Sequence, residues 1–264
     1  MLDTARLGKQ RVEALQVLRA IVLPSYGWQK HPAMQMWRGY VPALTRYSLD
    51  MVEEWTKRGH PDTTRPLIAE FAPEVVAGGA PPSMPSWLGN EDLHLSHRSN
   101  LVRKVPEFYG PLFPGVPDDL PYLWPGADEN LFLAATDGPS GSLETSTPFA
   151  KLWILRPRNA DEFDEWIVGG AVLLREVSPR GGQTPKWTTQ LEAFAALELG
   201  TPVAVLTVAG DSLVSGIVSG PVLAAENRGG EPVFRLPVDF AGVLLRRNFR
   251  YPALLQDPRT LFLV

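Results

Sequence analysis

The sequence predicts an α+β protein of two domains: an all-α first domain over residues 1–125 and a small mixed α/β barrel over 150–264, joined by a linker at 126–149. Three observations predict it. In the first part, apolar residues recur at three- and four-residue spacing, the period of a helix with one buried face. In the last part, short runs rich in Val, Leu and Ile lie between glycines and prolines, as in a small curled sheet. Between the two, Gly138-Pro139-Ser140-Gly141-Ser142 is a break with no periodicity.

The elements follow in order. Leu7, Val12, Leu15, Leu18 and Val22 make one stripe of a helix over 6–23, ended by Pro24. A turn containing Gly27 and Trp28 leads to a second helix over 33–57, with Met36, Tyr40, Leu44, Tyr47, Met51 and Trp55 near one face. Pro42 sits inside that pattern, so the helix either kinks there or is two helices meeting near Gly39. Gly59 and Pro61 stop it. A third helix spans 64–76 unless Pro73 shortens it, residues 78–85 form a loop, and a short helix covers 91–103. Pro106-Glu107-Phe108-Tyr109 opens a further turn. Residues 111–125, with five prolines, read as an ordered strap over the helices, because Phe113, Tyr122 and Trp124 need apolar surroundings. The second part reads as strand 151–155, helix 161–168, strand 171–175, helix 188–199 and strands 203–209, 213–219, 233–238 and 260–264. Residues 209–212 join the third and fourth strands as a hairpin.

Composition narrows the function classes. The net charge of −4 fits neither a basic nucleic-acid coat nor an acidic disordered tail. The absence of cysteine excludes disulfide scaffolds, thiolate zinc sites and cysteine nucleophiles. No apolar run is long enough to span a membrane, and no apolar core follows Met1-Leu2-Asp3-Thr4-Ala5-Arg6, so cytoplasm is the expected compartment and no membrane partner is expected. Charge is uneven, however. Residues 1–46 carry Arg6, Lys9, Arg11, Arg19, Lys30, Arg38 and Arg46 against Asp3 and Glu13, a net of +5, whereas 126–264 has 12 basic and 16 acidic residues. The basic segment is either a phosphate footprint or an ordinary solvated helix face.

Several residues invite chemistry. Glu13, one turn from Lys9 and Gln16 and close to Arg11, is a carboxylate among cations, suited to act as a base; the alternative is a surface pair with Lys9 at i,i+4. His31, His94 and His97 have no carboxylate to complete a metal site, and phosphate hydrogen bonding or loop locking is the expected role. Arg98, Arg103 and Lys104, with Ser96, Ser99 and Asn100, form either a phosphate-and-sugar site or a solvated helix end. Trp28, Trp37, Trp87 and Trp124 are candidates for stacking or for the core. No dinucleotide fingerprint, Walker A loop, HExxH or GxSxG pattern occurs.

The runs Arg6-Leu7-Gly8-Lys9-Gln10-Arg11-Val12-Glu13-Ala14-Leu15-Gln16, Gly27-Trp28-Gln29-Lys30-His31-Pro32 and Met36-Trp37-Arg38-Gly39-Tyr40 form a pattern with four later ones. These are Trp55-Thr56-Lys57-Arg58-Gly59-His60, Pro85-Ser86-Trp87-Leu88-Gly89, Ser96-His97-Arg98-Ser99-Asn100-Leu101-Val102-Arg103-Lys104 and Leu112-Phe113-Pro114-Gly115-Val116-Pro117-Asp118-Asp119-Leu120-Pro121-Tyr122. Together they resemble a bacterial protein group related to the pyrimidine-dimer DNA glycosylases of the phage endonuclease V type, over residues 3–125. The resemblance implies a compact helical unit binding double-stranded DNA. In those enzymes an N-terminal α-amine attacks the sugar C1′, an imine forms, and a first-helix carboxylate assists base release and strand cleavage. Carried over by position, the carboxylate is Glu13. Arg11 lies beside it, and Gln16 stands where the enzymes have another basic side chain. His31 follows in the turn, and Arg98, Arg103 and Lys104 fall at phosphate-holding positions. Imine chemistry needs no cofactor or metal. This chain departs from the pattern at its start, since relatives carry a longer segment ahead of the Arg6–Arg11 run and a small polar residue at the terminus.

In the second part, Lys151-Leu152-Trp153-Ile154-Leu155-Arg156-Pro157, Gly169-Gly170-Ala171-Val172-Leu173-Leu174, the hairpin at Gly210 and Phe234-Arg235-Leu236-Pro237-Val238 resemble PUA-like or EVE-like domains, small barrels of which several hold flipped modified bases. That resemblance makes Trp153, Trp166 and Trp187 candidate walls of a base pocket; the alternative is that they are core. Three readings follow: a DNA glycosylase/AP lyase, a non-catalytic reader of modified nucleic acid, and a structural or interaction module whose protein partners the sequence does not name.

Overall fold

Asp3 starts the first helix, α1 (Thr4–Val22), by accepting a hydrogen bond from the Arg6 amide at 3.1 Å, and Pro24 ends it one residue after Leu23. The computed structural model describes residues 2–126, 151–179, 181–182, 184–249 and 252–264. The chain divides into two compact units, Met1–Ser140 and Gly141–Val264. The expected 138–142 break lies outside the described residues.

In the first unit the buried stripe of α1 is Leu7, Ala14, Leu15 and Leu18, while Val12 points outward. The two alternatives at Pro42 resolve into two helices, α2 (Pro32–Trp37) and α3 (Val41–Lys57). Gly39 turns the chain between them at φ +83°, and Pro42 falls in the first turn of α3, where its missing N–H leaves no helical bond unmade. Pro73 does divide the third helix, giving α4 (Arg65–Ala69) and α5 (Pro73–Val76). Asn90 caps α6 (Glu91–Lys104) through Leu93 N–H at 2.9 Å, and α7 (Pro106–Tyr109) follows. Leu15, Leu18, Met34, Leu44, Val52 and Ile68 bring α1, α2, α3 and α4 around one core. Close approach of α1 to α3 needs Gly8: a Cβ there would lie 2.8 Å from the Trp55 ring.

The strap over 111–125 is fastened to α6 by side chains. The Ser96 hydroxyl donates to the Pro121 carbonyl (2.8 Å) and accepts from Leu123 N–H (2.7 Å). Ser99 Oγ accepts from Leu120 N–H (3.1 Å), and Asn100 Nδ2 donates to the Leu120 carbonyl (3.2 Å). A proline-rich segment has few internal backbone bonds to make, so buried hydroxyl and amide groups supply them.

The second unit is a curled mixed sheet forming a half-barrel. It comprises β1 (Trp153–Leu155), α8 (Ala160–Val168), β2 (Ala171–Arg175), α9 (Pro185–Ala195), β3 (Pro202–Leu206), β4 (Ser212–Val218), β5 (Leu223–Glu226), β6 (Pro232–Leu245) and β7 (Leu261–Leu263). The order is β2-β6-β4-β3-β1-β7, with β5 beside β6; β1 and β3 are parallel and the other pairs antiparallel. Three expectations need correction. Helix α9 starts at Pro185, three residues before the predicted start, because Thr184 caps it through Trp187 N–H. Strand β5, mostly exposed and without β-branched or aromatic residues, gives no strand signal. Strand β6 runs to Leu245 instead of 238, because a register shift at Ser215/Gly216 lets it continue along β4. A Cβ on Gly216 would meet the Asp239 carbonyl and Val238 at 2.7 Å, so only glycine fits this bulge.

Candidate nucleic-acid interface

Glu13 stands midway along α1, 36 % exposed, with Oε1 3.4 Å from Lys9 Nζ. The surface pair read as the bland alternative is therefore present. No other ion pair involves Glu13 among the described residues, and the carboxylate remains open to solvent. Gln16 lies one turn further on and is half-buried. The start of α1 is tied down. Arg58 Nη1 donates to the Leu2 carbonyl at 2.8 Å, and the Tyr109 hydroxyl donates to Asp3 Oδ2 at 2.5 Å. Burial pushes the Asp3 carboxyl up, but the bonds from Tyr109 and Arg6 outweigh it and hold it below its ordinary value. Asp3 and Glu13 are ten positions apart, about 15 Å of helix axis.

Arg11 does not face solvent beside Glu13. Its guanidinium pairs with Asp62, with side-chain exposures of 13 % and 4 %, and lies over the Trp55 ring at 5.2 Å from the centroid. Asp62, a residue absent from the sequence-based candidates, also accepts from Thr64 N–H (3.0 Å), the Thr64 hydroxyl (2.7 Å) and Arg65 N–H (2.7 Å). Burial raises its carboxyl, and these bonds together bring it below its ordinary value. Asp-x-Thr ahead of Pro66 is a helix-start signal, but nothing local in the sequence points to Arg11.

The proposed phosphate cluster on α6 is split. Ser96, Ser99 and Asn100 face the strap and are buried. Arg103 donates to Asn100 Oδ1, and Lys104 Nζ donates to the Tyr122 hydroxyl at 2.9 Å; both cations stay exposed. Arg98 Nε is buried with no hydrogen-bond partner. Among the described residues no carboxylate pairs with Lys30, Arg98, Arg103 or Lys104.

His31 caps α2, its Nδ1 accepting from Ala33 N–H at 3.1 Å. It also joins a run of rings: it stacks with Trp28 (6.1 Å, 28°) and meets Trp124 edge-on (6.0 Å, 77°). Trp124 contacts His97 (5.2 Å) and Tyr122 (5.3 Å). Burial holds the His97 imidazole below its ordinary value, and its Nε2 has no partner. His94 Nε2 accepts from Gly89 N–H, and no group of three metal-holding side chains occurs among the described residues. Of the other tryptophans, Trp37 and Trp87 pack against each other at 4.9 Å, and Trp87 donates to the Met36 carbonyl.

In the second unit Trp153 is half-buried, while Trp166 (1 % exposed) and Trp187 are buried in the core. Trp187 Nε1 donates to the Glu176 carbonyl at 3.1 Å; Trp166 Nε1 has no partner. Trp166 also lines a cleft of about 400 Å³ beside Arg158, Glu162, Arg175 and Glu231. Trp187 lines an adjoining space of about 20 Å³, and Trp153 lines neither of these two.

The family model described as pyrimidine dimer DNA glycosylase matches residues 1–66, a quarter of the chain, from α1 to the start of α4. Glu13, Arg11, Gln16 and His31 fall inside it; Arg98, Arg103 and Lys104 lie beyond. No curated protein and no solved structure matches the chain. Among the described residues no helix is long and apolar enough to cross a membrane.

Proposed function

We propose that the first unit binds double-stranded DNA and acts as a DNA glycosylase and AP lyase, with Glu13 as the catalytic carboxylate. The observation that carries this reading is the glycosylase family match, which spans α1 and includes Glu13 at a solvent-open position. An amine lone pair attacks the sugar C1′, and the base leaves with the electrons of the glycosidic bond and a proton. Ring opening gives an imine, removal of a C2′ proton breaks the C3′–O bond, and water then hydrolyses the imine to return the amine. Glu13 serves as proton acceptor and as counter-charge to the iminium. The amine must reach Glu13. Either a segment ahead of Asp3 runs back along α1, or Lys9, whose Nζ is already 3.4 Å away, supplies it. His31, Gln16, Arg98, Arg103 and Lys104 contact the DNA backbone in this reading, and Arg11 supports the fold through Asp62.

The test is borohydride trapping on duplexes carrying abasic sites or cyclobutane pyrimidine dimers, followed by peptide mapping of the adduct. Glu13→Gln leaves DNA affinity within about threefold and lowers strand cleavage by at least a hundredfold, the range expected for a lost general base. Equal loss of binding and cleavage removes Glu13 from catalysis. Adduct mass on the peptide holding Lys9, or on the terminal one, identifies the amine.

A second reading, a non-catalytic reader of modified bases with a PUA-like second unit, is favoured by the cleft lined by Trp166, whose buried N–H lacks an acceptor. It predicts no adduct with any substrate and retained binding to DNA carrying a modified base.

A further inference from the structure

Strand β6 is flanked on both sides over only part of its length. From Val233 to Arg235 it lies between β2 and β5, β2 continues beside it to Pro237, and the Val238 N–H still donates to the Gly170 carbonyl at 3.0 Å. From Asp239 to Leu245, β4 is the one described strand beside it. Hydrogen-bonding direction alternates along a strand. The Arg246 N–H donates to the Asp211 carbonyl just ahead of β4 (2.9 Å), so Val243 and Leu245 turn their N–H and C=O to the open side. Five of the seven residues from 239 to 245 are exposed, Val243 to 65 %. Proteins usually guard such an edge with a charge or a proline, but Phe240-Ala241-Gly242-Val243-Leu244-Leu245 contains neither.

The two ends of the edge say what covers it. Asp239 stands at one end and Arg247 just past the other, and both are exposed. Among the described residues neither side chain has an ion pair or a hydrogen bond. A strand with an acid at its start and a base at its end is complementary to a copy of itself laid antiparallel.

We propose that a second copy of this chain covers the edge, the two β6 strands pairing antiparallel about a two-fold axis at Val243. Val243 of each copy exchanges N–H···O=C bonds with Val243 of the other, Gly242 stands opposite Leu244, and Ala241 stands opposite Leu245. Asp239 of each copy lies beside Arg247 of its partner, so the same ion pair forms twice. The second units of the two copies then share one continuous sheet. This interface is independent of the DNA chemistry of the first unit.

The test is sedimentation velocity of the full chain from about 1 to 100 µM, the range in which a short interface associates. The wild type is expected to pass from 29.1 kDa to twice that mass. Val243→Lys puts two ammonium groups at the axis and raises the dissociation constant about tenfold or more. Asp239→Arg and Arg247→Asp each set like charges face to face and do the same. An equimolar mixture of these two charge variants dimerises again, because each carries the charge that the other lacks. Far-ultraviolet dichroism checks that every variant is folded; should Val243→Lys unfold, the charge variants and their mixture decide. A wild type that stays at 29.1 kDa throughout overturns the proposal and leaves the edge to a strand of another protein. A dimer that the folded variants all retain places the contact elsewhere and overturns it as well. So does a mixture of the two charge variants that stays monomeric.

Discussion

Arg11 and Asp62 form a largely buried pair, which gives Arg11 a structural task beside the DNA-contacting one implied by the resemblance. The guanidinium and carboxylate are both largely buried, and Asp62 at the same time orders the start of α4 through Thr64 and Arg65. Removing one partner of a buried pair leaves an uncompensated charge, so Arg11→Ala should lower the unfolding free energy by about 3 kcal/mol in urea titrations. An Arg11 that serves mainly as a phosphate ligand would instead leave stability unchanged and weaken DNA binding. The sign of the pH dependence follows from Asp62. Its folded value lies below the ordinary 3.8, so its stabilisation is complete above that value and is lost as pH falls through the depressed one. Asp62→Asn should therefore flatten the acid limb of the stability curve. The sequence made Glu13 visible through its cationic neighbours but hid Asp62, because the partner that matters is 51 residues away.

At the scale of elements, what could be read in advance was what local physics decides. The stripe of α1, the stop at Pro24 and the cut at Pro73 all follow from period and from proline's missing N–H. The choice between a kink and two helices at Pro42 depended on Gly39 adopting positive φ, which composition allows but does not require. Strand β5 and the far half of β6 depend on pairing across the sheet, and a bulge at Gly216 is not a local property. The strap shows the same division. Its prolines and aromatics announced an ordered cover, but Ser96, Ser99 and Asn100 resembled free donors until the geometry turned them inward. Amide exchange tests their part: Ser96→Ala should speed exchange at Leu123 at least tenfold, and Ser99→Ala at Leu120, the factor expected when a bond worth about 1.4 kcal/mol is lost. Unchanged exchange at both amides would mean that the aromatic contacts alone hold the strap.

For the molecule as a whole, charge is distributed by region: +5 over residues 1–46 against −4 over 126–264. Binding to DNA through the first unit should weaken steeply with salt, and Lys30→Gln should reduce the slope of log affinity against log salt by about 0.9, one released counterion. Lys186→Gln, on α9, should leave that slope alone; an equal reduction would mean that the second unit shares the backbone contacts. The bond between Asp3 and Tyr109 has its own consequence. It joins the cap of the first helix to a side chain 106 residues later, so during synthesis the opening turn of the protein waits on the ribosome for most of its unit to emerge. Residues 1–66, the stretch that carries the family likeness, leave the ribosome before the hydroxyl that fastens Asp3 can fold back onto it, and a nascent chain stalled there would show that helix end unlatched to proteases and chaperones alike.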